Sequence, residues 1–136
     1  MTFAQRRTMA VALASIAIAC GLVWRLGRIP LPFFAYKYGV SMLWALAIYW
    51  LVCTAAPRWN VAMAAAAAAL FSISIEFFKL YHSTAMDAFR LTLAGKLILG
   101  RVFSWKDIAA YVLAIVTAAL LDNALLYPKA AKPSKA

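Results

Sequence analysis

The polar chemistry of this chain is concentrated in one stretch, from Glu76 to Asp107. It holds three of the four acidic residues, five of the fourteen basic residues and the only His of the 136-residue sequence. Carboxylates beside Lys and Arg can form ion pairs, frame an anion site or relay protons. The candidate ligand-binding residues are Glu76, Lys79, Asp87, Arg90, Arg101 and Asp107, with Tyr81, His82, Trp105 and Tyr111 as secondary candidates.

Glu76 is the most informative of these positions because it lies inside an apolar run. Ionisable residues within membrane spans are costly and usually face a cavity or a partner. The simplest alternative is an ion pair with Lys79, three residues later on the same helix face. Such a pair still needs polar surroundings, which favours a shared polar site.

Asp87 and Asp107 each have a structural explanation beside the functional one. Each ends a Ser/Thr-x-x-Asp pattern, which is typical of a capping box at a helix start. Arg90 and Arg101 are their natural counter-charges, since a planar guanidinium suits a carboxylate or a phosphate. These acids can therefore serve as caps, as site residues, or as both.

Catalytic and metal-binding patterns are not found in the sequence. His82 has no HExxH or Cys/His pattern beside it, and Cys20 and Cys53 make no zinc spacing. No serine lies in a G-x-S-x-G setting, and no glycine-rich phosphate loop occurs. We therefore expect no enzyme activity, no cofactor and no metal.

The composition predicts a membrane protein. Hydrophobic residues make up 67% of the chain and charged residues 13%, against about 25% charged in soluble domains. The net charge of +10 could suit nucleic acid, but the basic residues lie at the ends of apolar runs. Lys and Arg at such positions anchor helices to lipid head groups. We therefore expect membrane lipids, and no nucleic acid, as partners.

Hydropathy predicts an all-α integral membrane protein with four transmembrane helices. The spans cover about residues 8–24, 38–56, 61–81 and 106–127, in one domain (1–127) followed by a basic disordered tail, 128–136. Between spans three and four we expect a polar, partly helical or re-entrant loop, with a short helix from Thr84 and an interfacial segment near Lys96. Two prolines and the aromatic residues from Phe33 to Tyr38 predict an interfacial loop before span two.

Small residues predict how two of the spans pack. Span three begins with a run of alanines, Ala64–Ala69, which allows close approach of a neighbouring helix. One face of span four carries Asp107, Tyr111, Ala114, Ala118 and Asp122 at helical spacing. We expect this face to pack against the alanines, with Asp122 in the interface; a transport role for Asp122 has no support.

Orientation follows from the basic residues. The membrane side that holds both termini carries six Lys and Arg, and the first loop on the opposite side carries three. If the charged stretch is held in a folded pocket and is not counted, this excess favours cytoplasmic termini. If the five basic residues of that stretch are counted, the excess lies on the opposite side and favours termini outside. An apolar run ending at Cys20 is similar to a lipoprotein signal, but Gly21–Trp24 continues the run and favours a retained span.

The charged stretch resembles the signature of a bacterial membrane family, domain of unknown function 2809. That family has a Glu-x-x-Gln-Leu-Tyr segment, an Asp-x-x-Arg-x-Thr stretch and a Leu-Gly-Arg-x-Phe-x-Trp-x-Asp run. The matching residues here are Glu76, Leu80, Tyr81, Asp87, Arg90, Thr92, Leu99, Gly100, Arg101, Phe103, Trp105 and Asp107. The resemblance extends over about residues 20–122 and implies a multi-pass protein of the bacterial inner membrane.

Two departures from that signature matter. Lys79 stands where the family has Gln, and Val40-Ser41 replaces a Gly-Asp pair, so one acid is missing and one cation is added. An anionic ligand or an internal ion pair fits this change better than a proton or cation role. A more distant similarity to VanZ-like membrane proteins, on Glu76, Arg101 and Asp107, implies a role in the cell envelope.

Three functions remain open from the sequence. The first is a non-catalytic inner-membrane protein whose charged outer-face pocket binds an anionic lipid head group or a lipid-linked phosphate. The second is a small proton-coupled transporter or carrier that uses Glu76. The third is a structural scaffold or accessory subunit, as a homo-oligomer or with a membrane protein partner.

Overall fold

The chain folds into a bundle of α-helices. The computed structural model describes residues 2–27, 32–81, 83–93, 95 and 105–127. Within them, the helices are α1 (Phe3–Leu26), α2 (Phe33–Ala55), α3 (Val61–Phe78), α4 (Thr84–Leu91) and α5 (Trp105–Leu121), and α5 widens into a π-helical turn, Asp122–Leu126. No described residue lies in a strand.

Four of the helical segments are long and apolar enough to cross a membrane. They are Phe3–Leu26, Ala35–Ala55, Val61–Phe78 and Trp105–Leu126. The predicted fold class, an all-α protein with four membrane-spanning helices, is confirmed. The chain is therefore a multi-pass membrane protein, with α4 as a short helix between the third and fourth spans.

Local caps explain where several helices begin. Thr2 and Gln5 form a capping box at the start of α1: Gln5 N donates to Thr2 Oγ1 at 3.1 Å, and Thr2 N donates to Gln5 Oε1 at 2.8 Å. Asn60 caps α3 through Met63 N, and Ser83 caps α4 through Met86 N. Each side chain satisfies a backbone N–H that has no partner within the helix.

The helix bounds differ from the predicted spans at several ends. α1 begins at Phe3, not at residue 8, because Thr2 caps the helix together with Gln5. α2 begins at Phe33, not at residue 38, so Tyr36 and Tyr38 lie in the helix and the expected interfacial loop is wrong there. The short helix has Thr84 as its first residue, but Ser83 is its cap and accepts from Met86 N, so the predicted capping box from Thr84 to Asp87 is wrong. Lys96–Leu99, Ser104 and the tail 128–136 lie outside the described residues.

Small residues form the contacts between the spans. The core includes Ala10 and Ala14 of α1, Ala45 of α2, Ala64 and Ala68 of α3, and Ala114 and Ala118 of α5. α2 packs against α1, α3 and α5, and α3 packs against α5. In lipid, close backbone approach of this kind supplies the packing energy that a hydrophobic effect between helices cannot. The face of α5 predicted from spacing is buried along its whole length.

Candidate functional site

The bundle has two ends, each with a buried polar cluster. At the Glu76 end, α3 finishes and α5 starts; at the Arg6 end, α1 starts and the π-helical turn finishes. The sequence-predicted site lies at the Glu76 end. The cluster at the Arg6 end was not predicted as a site.

Glu76 lies at the centre of the first cluster. Its side chain is fully buried, and its Oε2 accepts hydrogen bonds from Lys79 Nζ and from the Tyr111 hydroxyl, both at 2.8 Å. The pair with Lys79 on one helix face is the arrangement that the spacing predicted. Tyr111 adds a link to α5, so the carboxylate joins two spans as well as neutralising a cation.

Asp107 lies beside this cluster and joins α5 to α2. Its side chain is 4% exposed, and its Oδ1 lies 2.9 Å from the Ser41 hydroxyl. That hydroxyl also lies 3.2 Å from the carbonyl oxygen of Lys37, one turn earlier in α2. A neutral hydroxyl of α2 therefore faces the Asp107 carboxylate.

Arg90 of α4 is directed at the backbone of the preceding segment. Its Nη1 donates to Tyr81 O at 2.6 Å and its Nη2 donates to Phe78 O at 2.8 Å. A weaker contact of 3.4 Å joins Nη1 to Asp87, whose side chain is 53% exposed. Because the last carbonyls of a helix lack partners, Arg90 closes the end of α3, and its terminal nitrogens are already occupied.

The remaining predicted site residues divide into two groups. Tyr81 and Trp105 are exposed on the outside of the bundle, where Tyr81 stacks on Phe78 and Trp105 meets Phe77 edge to face. His82 and Arg101 lie outside the described residues. The structure therefore brings together Glu76, Lys79, Asp107 and Tyr111, and holds Asp87 and Arg90 against the end of α3.

The second cluster is a buried ion pair between Arg6 and Asp122. Arg6 Nε and Nη2 donate to the two carboxylate oxygens at 3.0 and 2.5 Å, and both side chains are fully buried. Arg6 Nη1 also donates to the carbonyl oxygens of Pro57 and Trp59, at 2.7 and 2.9 Å. One guanidinium thus joins the first span, the last span and the turn between α2 and α3.

Two side chains of α2 complete this cluster. The Tyr49 hydroxyl donates to Asp122 Oδ2 at 2.5 Å, and Cys53 Sγ lies 3.4 Å from Arg6 Nη2. The signal that reveals Arg6 is the Thr2–Gln5 capping box, because a helix that starts at Phe3 places Arg6 within the bundle. Asp122 was expected in an interface, but no local pattern names its partner, which lies 116 residues away.

The two clusters are separated by a layer of small apolar side chains. Ala64 and Ala68 of α3 and Ala114 and Ala118 of α5 fill the space between them and are almost fully buried. Among the described residues, no group of three or more His, Cys, Asp and Glu side chains could hold a metal ion. The two clusters join the spans to one another at both ends of the bundle.

The comparison with known proteins assigns the chain to a family. The family model described as "Protein of unknown function (DUF2809)" matches residues 31–115, a segment that contains Glu76, Arg90 and Asp107 but neither Arg6 nor Asp122. No solved structure matches the chain. The relation to VanZ-like proteins stays a prediction. Since the match covers more than half of the sequence, the chain belongs to this family of proteins of unknown function.

Proposed function

We propose that this chain is a non-catalytic membrane protein that binds an anionic lipid head group or a lipid-linked phosphate at its Glu76 end. The supporting observation is the charge balance there. Among the described residues, that end carries five cations and three carboxylates, which are Arg25, Lys37, Lys79, Arg90 and Lys106 against Glu76, Asp87 and Asp107. The carboxylates already have partners, so the excess charge attracts an anion.

The available cations differ from those expected from the sequence. Arg90 is committed to two carbonyl oxygens, and Lys79 to Glu76. Within the described part of the chain, Lys37 and Lys106 form no ion pair, and both lie at helix starts on this end. We assign head-group contact to these two lysines, with Arg101 retained from the sequence prediction. Glu76 and Asp107 then form the frame that positions them.

The test measures which of two phospholipids, one anionic and one zwitterionic, the protein retains. The wild-type protein is placed in nanodiscs of phosphatidylglycerol and phosphatidylcholine in equal parts, released, and weighed by native mass spectrometry. We expect it to retain more phosphatidylglycerol, and the double variant Lys37→Gln/Lys106→Gln to lose that preference. Arg7→Gln/Arg58→Gln removes the same charge at the opposite end and serves as control. Equal preference in the two double variants refutes the proposed site.

A second candidate is a proton-coupled carrier that uses Glu76. The observation in its favour is the Ser72 hydroxyl, which is fully buried one turn before Glu76 and has no hydrogen-bond partner among the described residues. An unsatisfied hydroxyl beside a buried carboxylate fits a site for an internal water. Proton uptake into proteoliposomes, followed with an internal pH dye, tests this function. Flux that Glu76→Gln abolishes supports a carrier; no flux in the wild type refutes it.

A scaffold role is the third candidate, supported by the alanine packing and the buried clusters, with a homo-oligomer or a membrane protein as partner.

We further propose that the protein lies in the bacterial inner membrane with cytoplasmic termini, which puts the Glu76 end outside. Reporter fusions at residue 136 test the orientation. A reporter that is active only on the outer side reverses it, and the lipid site would then face the cytoplasm.

A further inference from the structure

A groove runs between α1 and α2 on the surface of the bundle. Its volume is about 260 Å³. On α1 it is lined at helical spacing by residues from Ala17 to Arg25, and on α2 by residues from Val40 to Ala47. At 1.5 Å per residue, the α1 side extends for about 12 Å along the helix.

The groove is apolar along its length and charged at one end. Ala17 and Ala47 are buried beneath it, whereas Ile18 and Leu22 are 43% and 38% exposed at its edge. Both helices are candidate membrane spans, so this opening lies at the depth of the acyl chains. Among the described lining residues Arg25 alone is charged, and it lies at the last turn of α1, at the Glu76 end.

Arg25 is held at the end of the groove by the contact between α1 and α2. Its carbonyl oxygen accepts a hydrogen bond from the Tyr36 hydroxyl at 2.9 Å, which ties this turn of α1 to α2. Its guanidinium forms no ion pair with any carboxylate in the described part of the chain. A guanidinium at a helix end can donate two parallel hydrogen bonds to a phosphate.

We propose that this groove holds one acyl chain of a glycerophospholipid whose phosphate is bound by Arg25. An apolar channel that ends in a cation matches the polarity of such a lipid, with its tail within the membrane and its phosphate at the surface. The inference does not depend on the proposed head-group site, since zwitterionic and anionic phospholipids both carry the phosphate. A chain already in the membrane gains little from the hydrophobic effect, so shape and the phosphate contact determine retention.

Gly21 provides a way to fill the groove without disturbing the helices. A Cβ at this position would meet its nearest neighbour, Leu43 Cβ, at 3.8 Å, an ordinary contact distance. Gly21→Leu therefore places its remaining carbons in the groove. Ala19→Leu adds side-chain bulk to the exposed surface of the same helix outside the lining and is the matched control. Arg25→Gln removes the phosphate contact, with Arg7→Gln as its control.

The experiment measures the total phospholipid that each variant retains in native mass spectrometry after release from nanodiscs of phosphatidylcholine alone. We expect Gly21→Leu and Arg25→Gln each to lower the ratio of lipid-bound to lipid-free protein about tenfold, or about 1.4 kcal/mol. Ala19→Leu and Arg7→Gln should retain as much lipid as the wild type. Circular dichroism of all variants checks that the helices are intact.

Three results overturn the proposal: equal lipid retention in all five proteins, a loss in the controls as large as in the groove variants, or a dimer mass that Gly21→Leu abolishes. The last would assign the groove to a second copy of the chain. This experiment is independent of the head-group test, which compares two lipids in the wild type and in two double variants. A groove that retains lipid without preferring phosphatidylglycerol supports the acyl-chain site and refutes the anionic head-group site.

Discussion

The buried pair between Arg6 and Asp122 should be among the largest single contributions to stability. Asp122→Ala leaves a fully buried guanidinium without its carboxylate, and breaking a buried ion pair costs about 3–5 kcal/mol. Arg6 retains the carbonyl oxygens of Pro57 and Trp59, which places the expected loss of unfolding free energy near 3 kcal/mol, at the low end of that range. Asp122→Asn should lose about 2 kcal/mol, because its amide nitrogen faces donors from Arg6 or Tyr49.

The assay is reversible unfolding in mixed detergent micelles, with sodium dodecyl sulfate as denaturant and circular dichroism as the signal. A double-mutant cycle with Arg6→Met and Asp122→Leu separates the pair from its surroundings. Because the double variant leaves neither charge unpaired, it should be about 2 kcal/mol more stable than the sum of the single variants predicts. Arg7→Ala, on the exposed neighbouring position, is the control and should change stability by less than about 0.5 kcal/mol.

Two outcomes would refute this reasoning. One is a loss below about 1 kcal/mol for Asp122→Ala, the range of exposed pairs. The other is additivity of the two single substitutions within about 0.5 kcal/mol. Either would mean that Arg6 and Asp122 are solvated separately in the membrane.

Three further predictions use the same unfolding assay. Arg90→Ala should lower the free energy of unfolding by about 1–3 kcal/mol, because the Phe78 and Tyr81 carbonyls lose their donor. Asp87→Asn should lower it by less than about 1 kcal/mol, since that carboxylate is half exposed. Equal losses in the two variants would contradict the capping role of Arg90. Ala68→Leu should lower the free energy of unfolding by about 1–3 kcal/mol, because it overpacks the α3–α5 contact. Ala66→Leu, on the exposed face of the same helix, is the control and should be neutral. A neutral Ala68→Leu would mean that the helices are not in close contact. Gly39→Ala should destabilise the α1–α2 contact, because its Cβ would lie 2.7 Å from the Trp24 ring. Gly21→Ala is the control and should leave that contact intact. A change in Trp fluorescence should accompany Gly39→Ala but not Gly21→Ala.

Much of the fold follows from the sequence because its determinants are local. Apolar runs define the spans, and alanines at helical spacing define the faces that pack, as the burial of Ala114 and Ala118 confirms. The Glu76–Lys79 pair was predictable for the same reason, since its partners are three residues apart on one helix. Helix starts are harder to predict than the spans themselves, because aromatic residues such as those near Tyr38 suit both a helix and an interfacial loop.

The candidate site was predicted only in part because its other contacts join distant segments. The spacing of Arg90 and Asp87 indicates a pair, but the stronger contacts of Arg90 are to backbone carbonyls, which no residue pattern encodes. Tyr111 and Ser41 meet Glu76 and Asp107 across spans, so their roles depend on helix packing. In the sequence, Arg6 is one of several basic residues beside an apolar run. Its burial follows only when the helix begins at Phe3.

The distance in sequence between Arg6 and Asp122 has a consequence for how the chain is made. Membrane proteins are inserted from the N-terminal side during synthesis, so Arg6 reaches the membrane with the first helix, and its carboxylate partner is translated 116 residues later. Throughout that interval the guanidinium lacks its carboxylate, although the carbonyl oxygens of Pro57 and Trp59, which also accept its hydrogen bonds, are already made. Any product that stops before Asp122 therefore carries a guanidinium whose charge this carboxylate does not neutralise.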